Sequence, residues 1–165
     1  MKQKFIYYTK ELAIFILLLT LLSNILSFYK SQTLNKASLP INQVELLNKE
    51  RLYLKQNKPI LIHFWATWCP TCKLEANNIE RISQKFNVIT IAVKSGSNKD
   101  IQKYLKEKGL SFHVVNDKNG TFAQLFHISA FPTTFIYTKE HTLLFSDVGY
   151  TSTLGLYLRM WWASL

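Results

Sequence analysis

Two cysteines stand three residues apart, Cys69 and Cys72, and their surroundings restrict the fold more than any other part of the chain. The residues before them, PILIHFWAT at 59–67, are an apolar β-rich run, the pattern of a strand buried on both faces. Residues 69–86 continue with helical spacing, and Leu74, Ile79, Ile82 and Phe86 mark the expected apolar side. A strand running directly into a helix places both thiols in the first helical turn. Free N–H groups and the positive end of the helix dipole stabilise a thiolate there. Pro70 suits that opening, because a first-turn residue makes no intrahelical use of its N–H. The spacing lets the sulfurs bond and separate. The pair is therefore a candidate two-electron couple, with Cys69 attacking from the solvent side and Cys72, a turn deeper, resolving the mixed disulfide.

Other uses of such a pair fit less well. Covalent haem needs His directly after the second cysteine, and Lys73 stands there. Zinc needs two further ligands, and His63, His113, His127 and His141 have no paired spacing. A structural disulfide across so short a loop removes little entropy from the unfolded chain.

The 165 residues allow one domain and a tail. Residues 12–29, LAIFILLLTLLSNILSFY, carry no charge and would form a helix about 27 Å long, close to the roughly 30 Å of a bilayer core. Lys10 and Lys30 bracket them, and Tyr7, Tyr8, Phe28 and Tyr29 occupy the interfacial positions. No small-x-small cleavage pattern follows, so an uncleaved anchor is favoured over a signal peptide. The expected division is an anchor or signal segment at 1–30, a polar linker at 31–40 and a folded domain at 41–165. The net charge of +10 raises nucleic acid as a partner. The bases after Ser38 are scattered, however, and Lys99, Lys103, Lys106 and Lys108 are interspersed with Asp100 and Glu107 as on a solvated helix face. No nucleic-acid role is expected.

Within the domain, spacing predicts a helix over 41–57 and the strand and helix around the cysteines. A buried strand at 87–93 and a helix at 97–108, ended by Gly109, follow. A strand at 112–116, a short helix at 121–126, strands at 133–137 and 142–148, and a helix at 152–162 complete the chain. Strands separated by helices imply parallel pairs, and the terminal hairpin adds an antiparallel one. The expected fold class is α/β, with a mixed central sheet flanked by helices.

Three segments in order resemble the thioredoxin superfamily. Residues 64–73, FWATWCPTCK, resemble its active-site segment and, more narrowly, the membrane-tethered bacterial branch of TlpA, ResA and DsbE (CcmG). Phe131-Pro132-Thr133-Thr134-Phe135 resembles the cis-proline segment, and residues 97–120 resemble that branch's insertion. The resemblance implies a thioredoxin-like fold, Cys69 as nucleophile and Cys72 as resolving thiol. It implies that Pro132 faces the disulfide and that Phe131 offers backbone hydrogen bonds to substrate, with Trp65 and Trp68 flanking and Pro70 and Thr71 in the contact surface. His63 takes the place of a buried acid of thioredoxins and is a candidate proton relay. His127 stands where many relatives have Gly, and Asn77 where many have Pro.

The resemblance further implies a protein thiol–disulfide oxidoreductase with no cofactor and no metal, reducing disulfide-bearing client proteins. It would be recharged by a membrane thiol donor of the DsbD/CcdA kind. The expected site is the bacterial inner membrane, single-pass, with the catalytic domain in the periplasm. A dedicated apocytochrome c reductant is the narrower alternative. A Cu(I)-binding protein is the alternative of another class, disfavoured because the only methionines are Met1 and Met160.

Overall fold

A computed structural model describes residues 2–54 and 57–165. The expected anchor is α1 (Lys2–Ser31), of which Tyr7–Ser31 is long and apolar enough to cross a membrane. A two-stranded ribbon, β1 (Gln43–Glu45) and β2 (Arg51–Tyr53), comes next. The main sheet is built from β3 (Ile60–Trp65), β4 (Asn87–Val93), β5 (His113–Asp117), β6 (Thr133–Tyr137) and β7 (Leu143–Val148). The helices are α2 (Pro70–Ser83), α3 (Asn98–Lys108), α4 (Thr121–Leu125) and α5 (Thr153–Ala163).

The sheet order is β5-β4-β3-β6-β7. The strands joined by long helical crossovers, β3 with β4 and β4 with β5, are parallel. β6 pairs antiparallel with both β3 and β7. This is the thioredoxin-like mixed sheet flanked by helices. β3 is central, and all six of its residues are buried, which is why its sequence is continuously apolar apart from His63. One face of the sheet packs Phe64, Phe126, Phe135 and Tyr137. The other packs Leu61, Trp65, Ile79, Ile82, Ile101, Leu156 and Met160, together with both cysteines.

α3 starts and stops where its sequence dictates. Ser97 and Asp100 form a reciprocal capping box, and Gly109 closes the helix in the left-handed conformation at φ 63°.

Two expectations are corrected. Residues 41–57 are not a helix. Val44 and Leu46 alternate inward, Lys49 turns the chain at φ 66°, and the amide of Leu46 donates to the carbonyl of Glu50. The spacing of Ile41, Val44 and Leu47 imitates a helical period, but the positive φ at Lys49 breaks a helix and closes a hairpin. The part of that helix assigned to residues 55 and 56 lies outside the described residues, as does Met1 of the anchor. On α2, Leu74 is 74% exposed and the buried position beside it belongs to Glu75. Cys72, Glu75, Ile79 and Ile82 make the inward stripe at spacings of three, four and three.

Between α1 and the ribbon the chain is held against the domain. Leu34 and Leu39 are buried, and the amide of Asn35 donates to the carbonyl of Phe126 at 3.2 Å.

Candidate active site

β3 ends at Trp65, and four residues later Cys69 caps α2 with extended backbone, φ −82° and ψ 116°. Its Sγ accepts a hydrogen bond from the amide of Cys72 at 3.1 Å. That amide is one of the orphan donors of a helix start, so the sulfur occupies the place a Ser or Asp oxygen takes in an ordinary N-cap. When the pair is reduced, the same donor stabilises the Cys69 thiolate. Here the two sulfurs are joined as a disulfide, with the Cα atoms 5.3 Å apart. Cys69 is 5% exposed and Cys72 3%, so in the oxidised form the first sulfur is nearly as sheltered as the second.

The loop before Cys69 is braced by the end of β4. The amide of Thr67 donates to Ser95 Oγ at 3.0 Å, and Ser95 Oγ donates to the carbonyl of Val93 at 3.0 Å. Trp68 Nε1 donates to the carbonyl of Lys94 at 3.2 Å. Trp68 remains 57% exposed, and Phe131 meets it edge-on at 5.6 Å between ring centroids. The Phe131–Pro132 peptide is cis, Pro132 is buried, and Phe131 packs against the cluster that holds both cysteines. The amide of Gly149 donates to the carbonyl of Pro132 at 2.8 Å, which ties this segment to the end of β7. Of the expected contact residues, Pro70 and Thr71 lie between the cysteines, Trp68 precedes them and meets Phe131, and Phe131 packs on their cluster next to the cis Pro132. Trp65 is a core residue instead, 3% exposed between Tyr104 and Phe112. His127 takes φ 55°, a left-handed position that accounts for Gly being suited there.

Two ionisable groups are buried on the cysteine side of the sheet. His63 alternates with Leu61 and Trp65, is 2% exposed, and its Nδ1 lies 2.9 Å from Thr134 Oγ1. Burial pushes its pKa down to about 3, so the ring is neutral at physiological pH. Glu75, one helical turn beyond Cys72, is fully buried. Burial pushes its carboxyl up to about 8, opposed by the amide of Thr151, which donates to Oε1 at 3.0 Å, and reinforced by the nearby charge of Asp147. Oε2 is buried without a partner. The sequence signal for Glu75 was its i+3 position after Cys72 on the stripe of Ile79 and Ile82.

The sequence profile of the AhpC/TSA family matches residues 33–146, more than half of the chain. The chain belongs to the AhpC/TSA family. Its match begins inside the 31–40 segment, just before the buried Leu34. A thioredoxin-like protein of Haemophilus influenzae is 33% identical over 133 residues, covering 80% of this chain and 78% of that one. A thiol:disulfide interchange protein DsbE of Pasteurella multocida is 30% identical over 116 residues, covering 67% and 64%. Among solved structures, a secreted thiol-disulfide isomerase from Corynebacterium glutamicum superposes with a TM-score of 0.70 at 19% identity, covering 76% and 84%, which shows the shared fold. This AhpC/TSA member is a thiol–disulfide oxidoreductase.

Proposed function

We propose that the chain is a membrane-anchored reductase of protein disulfides in the bacterial envelope. The carrying observation is the cap of α2, where Cys69 Sγ receives the Cys72 amide beside a cis-proline segment. In this reading the Cys69 thiolate attacks a client disulfide, forming one S–S bond and releasing the client's first thiolate. Cys72 then attacks Cys69, closing the internal disulfide and releasing the second. Two electrons pass to the client and two protons leave the protein. Phe131 and Pro132 supply the backbone edge for the client chain, and Trp68, Pro70 and Thr71 the surrounding contact surface.

Resolution requires the Cys72 proton to depart. Glu75, on the same inward stripe as Cys72 and raised to about 8 by burial, is mostly protonated at neutral pH, and its ionised fraction is the base that takes this proton. His63, held neutral, is the second acceptor on that side of the sheet and a weaker base. The direction follows from the modest support given to the thiolate: one amide and the helix end, with no cationic side chain inside Cys69-Pro70-Thr71-Cys72. Strong oxidants stabilise the reduced thiolate far more.

Residues 1–30 act as the anchor, and residues 41–165 face the periplasm from the inner membrane. A membrane thiol protein of the DsbD/CcdA kind restores the dithiol. Reduction of apocytochrome c is a narrower version of the same chemistry. Titration of the couple against glutathione and dithiothreitol tests the direction. A potential near −270 mV supports a reductant, and one near −120 mV overturns it.

A further inference from the structure

β7 is the outer strand of the main sheet, and α1 covers its free edge. The amide of Val148 donates outward to Ser27 Oγ at 2.9 Å. Phe28, Ser31 and Gln32 lie beside residues 143–146, whereas Thr20, Ser23 and Asn24 lie beyond Val148, against residues 147–152. α1 and β7 therefore run in opposite directions: Ser27 bonds to the domain, and Thr20, Ser23 and Asn24 continue its polar stripe across an open space from residues 147–152.

That contact and a full membrane crossing exclude each other. The uncharged stretch 12–29 is only about as long as a bilayer core is thick. With residues 23–29 on β7, eleven uncharged residues remain, about 16 Å, or half of what is needed. Keeping the contact during full insertion would also carry the Asp147–Arg159 ion pair, 3.2 Å apart beside the stripe, into hydrocarbon. A cavity of about 440 Å³ separates stripe and domain, so this interface is loosely filled and is held by few bonds. The chain is next fixed to the domain at Leu34 and Asn35, so α1 can lift away at Gln32 and Thr33, both exposed, without disturbing the core.

We propose that insertion of α1 uncovers the β7 edge as a docking strand for an extended segment of the client polypeptide. An uncovered edge presents a row of unpaired N–H and C=O groups, the template for β-augmentation. Its end is continuous with the redox site: Val148 pairs with Thr133, and the amide of Gly149 donates to the carbonyl of Pro132. Strands lie about 4.8 Å apart, so a segment on β7 runs roughly 15 Å from β3, which leads into Cys69. A client disulfide four or five residues along that segment reaches the thiol.

The inference rests on the anchor reading, and the experiment separates the two. The full chain is reconstituted in nanodiscs of phosphatidylethanolamine and phosphatidylglycerol, and carbonate resistance is scored in membranes. Extraction by carbonate overturns the anchor. For resistant protein, hydrogen exchange at the Val148 amide is compared with that of Ser27→Ala. The expected result is fast exchange in both, because Ser27 is already withdrawn. Slow exchange that Ser27→Ala accelerates shows α1 still docked and overturns the proposal alone.

The same discs are assayed with insulin as a polypeptide disulfide and oxidised glutathione as a small one. Ser146→Pro, and Leu144→Lys as a milder edge variant, are expected to lose several-fold in kcat/KM on insulin and nothing on glutathione. Equal rates on insulin for folded variants and the parent overturn the docking strand.

Discussion

The two ends of α2 carry two glutamates in opposite situations. Glu75, near the catalytic end, is buried with one amide donor and a free oxygen, and its carboxyl is raised to about 8 by burial. Glu80, a turn and a half further on, is also pulled upward by partial burial. Hydrogen bonds from Ser111 Oγ, the amides of Ser111 and Phe112, and Gln84 outweigh that pull and hold it below the usual range. Glu80 fastens α2 to the start of β5 and stabilises the fold. Glu75 leaves a buried carboxyl under-satisfied beside a cysteine, which costs stability and supplies a proton partner. The same residue type on one helix serves structure at one end and chemistry at the other. The count of hydrogen-bond donors decides which.

The largest effect falls at the catalytic end. Cys69→Ser is expected to remove disulfide exchange altogether in an insulin-reduction assay, since the Cys72 thiol left behind is the more sheltered of the pair and has no second thiol with which to complete the exchange. Next comes Glu75→Gln, expected to slow resolution of a preformed Cys69 mixed disulfide several-fold at neutral pH, read by stopped-flow. His63→Leu is expected to slow it less. If the two orders are reversed, His63 and not Glu75 takes the proton.

Stability against pH sharpens the contrast, because the two glutamates act with opposite sign. The native state holds the Glu75 proton more tightly than the unfolded chain, so stability is lost as pH rises from about 4.5 through 8. Glu80 is the reverse, and its contribution fades as pH falls through the carboxylate range. His63 adds to the acid loss: its folded pKa of about 3 lies below the ordinary 6.5, so the unfolded chain takes up its proton first. Denaturation midpoints from pH 4 to 9 should show Glu75→Gln flattening the alkaline limb and Glu80→Gln the acid limb. The smallest effect is Glu80→Ala on the fold, about 1–2 kcal/mol from its lost hydrogen bonds, with exchange rates unchanged.

Much of this was legible in the sequence. β4 and β6 occupy the residues their apolar runs mark, and Ser97 with Asp100 and Gly109 announce both ends of α3 through local chemistry alone. The cysteine pair sat between strand and helix as its flanks require. The helix expected at 41–57 is absent because Ile41, Val44 and Leu47 imitate a helical period, while the strand alternation there rests on only Val44 and Leu46 before the turn at Lys49. Glu75 escaped because its burial is a tertiary fact: α2 packs there against the β7–α5 loop, and Thr151 donates to it from 76 residues away. The α1–β7 contact depends likewise on Ser27 and Val148, 121 residues apart.

The central claim is that Cys69 attacks and Cys72 resolves. The direct measurement is trapping in intact cells: Cys69→Ser and Cys72→Ser chains are expressed, quenched with acid and run on non-reducing gels. The account predicts higher-mass, reductant-sensitive species with Cys72→Ser and none with Cys69→Ser. Adducts formed equally by both variants, or by Cys69→Ser alone, would contradict it.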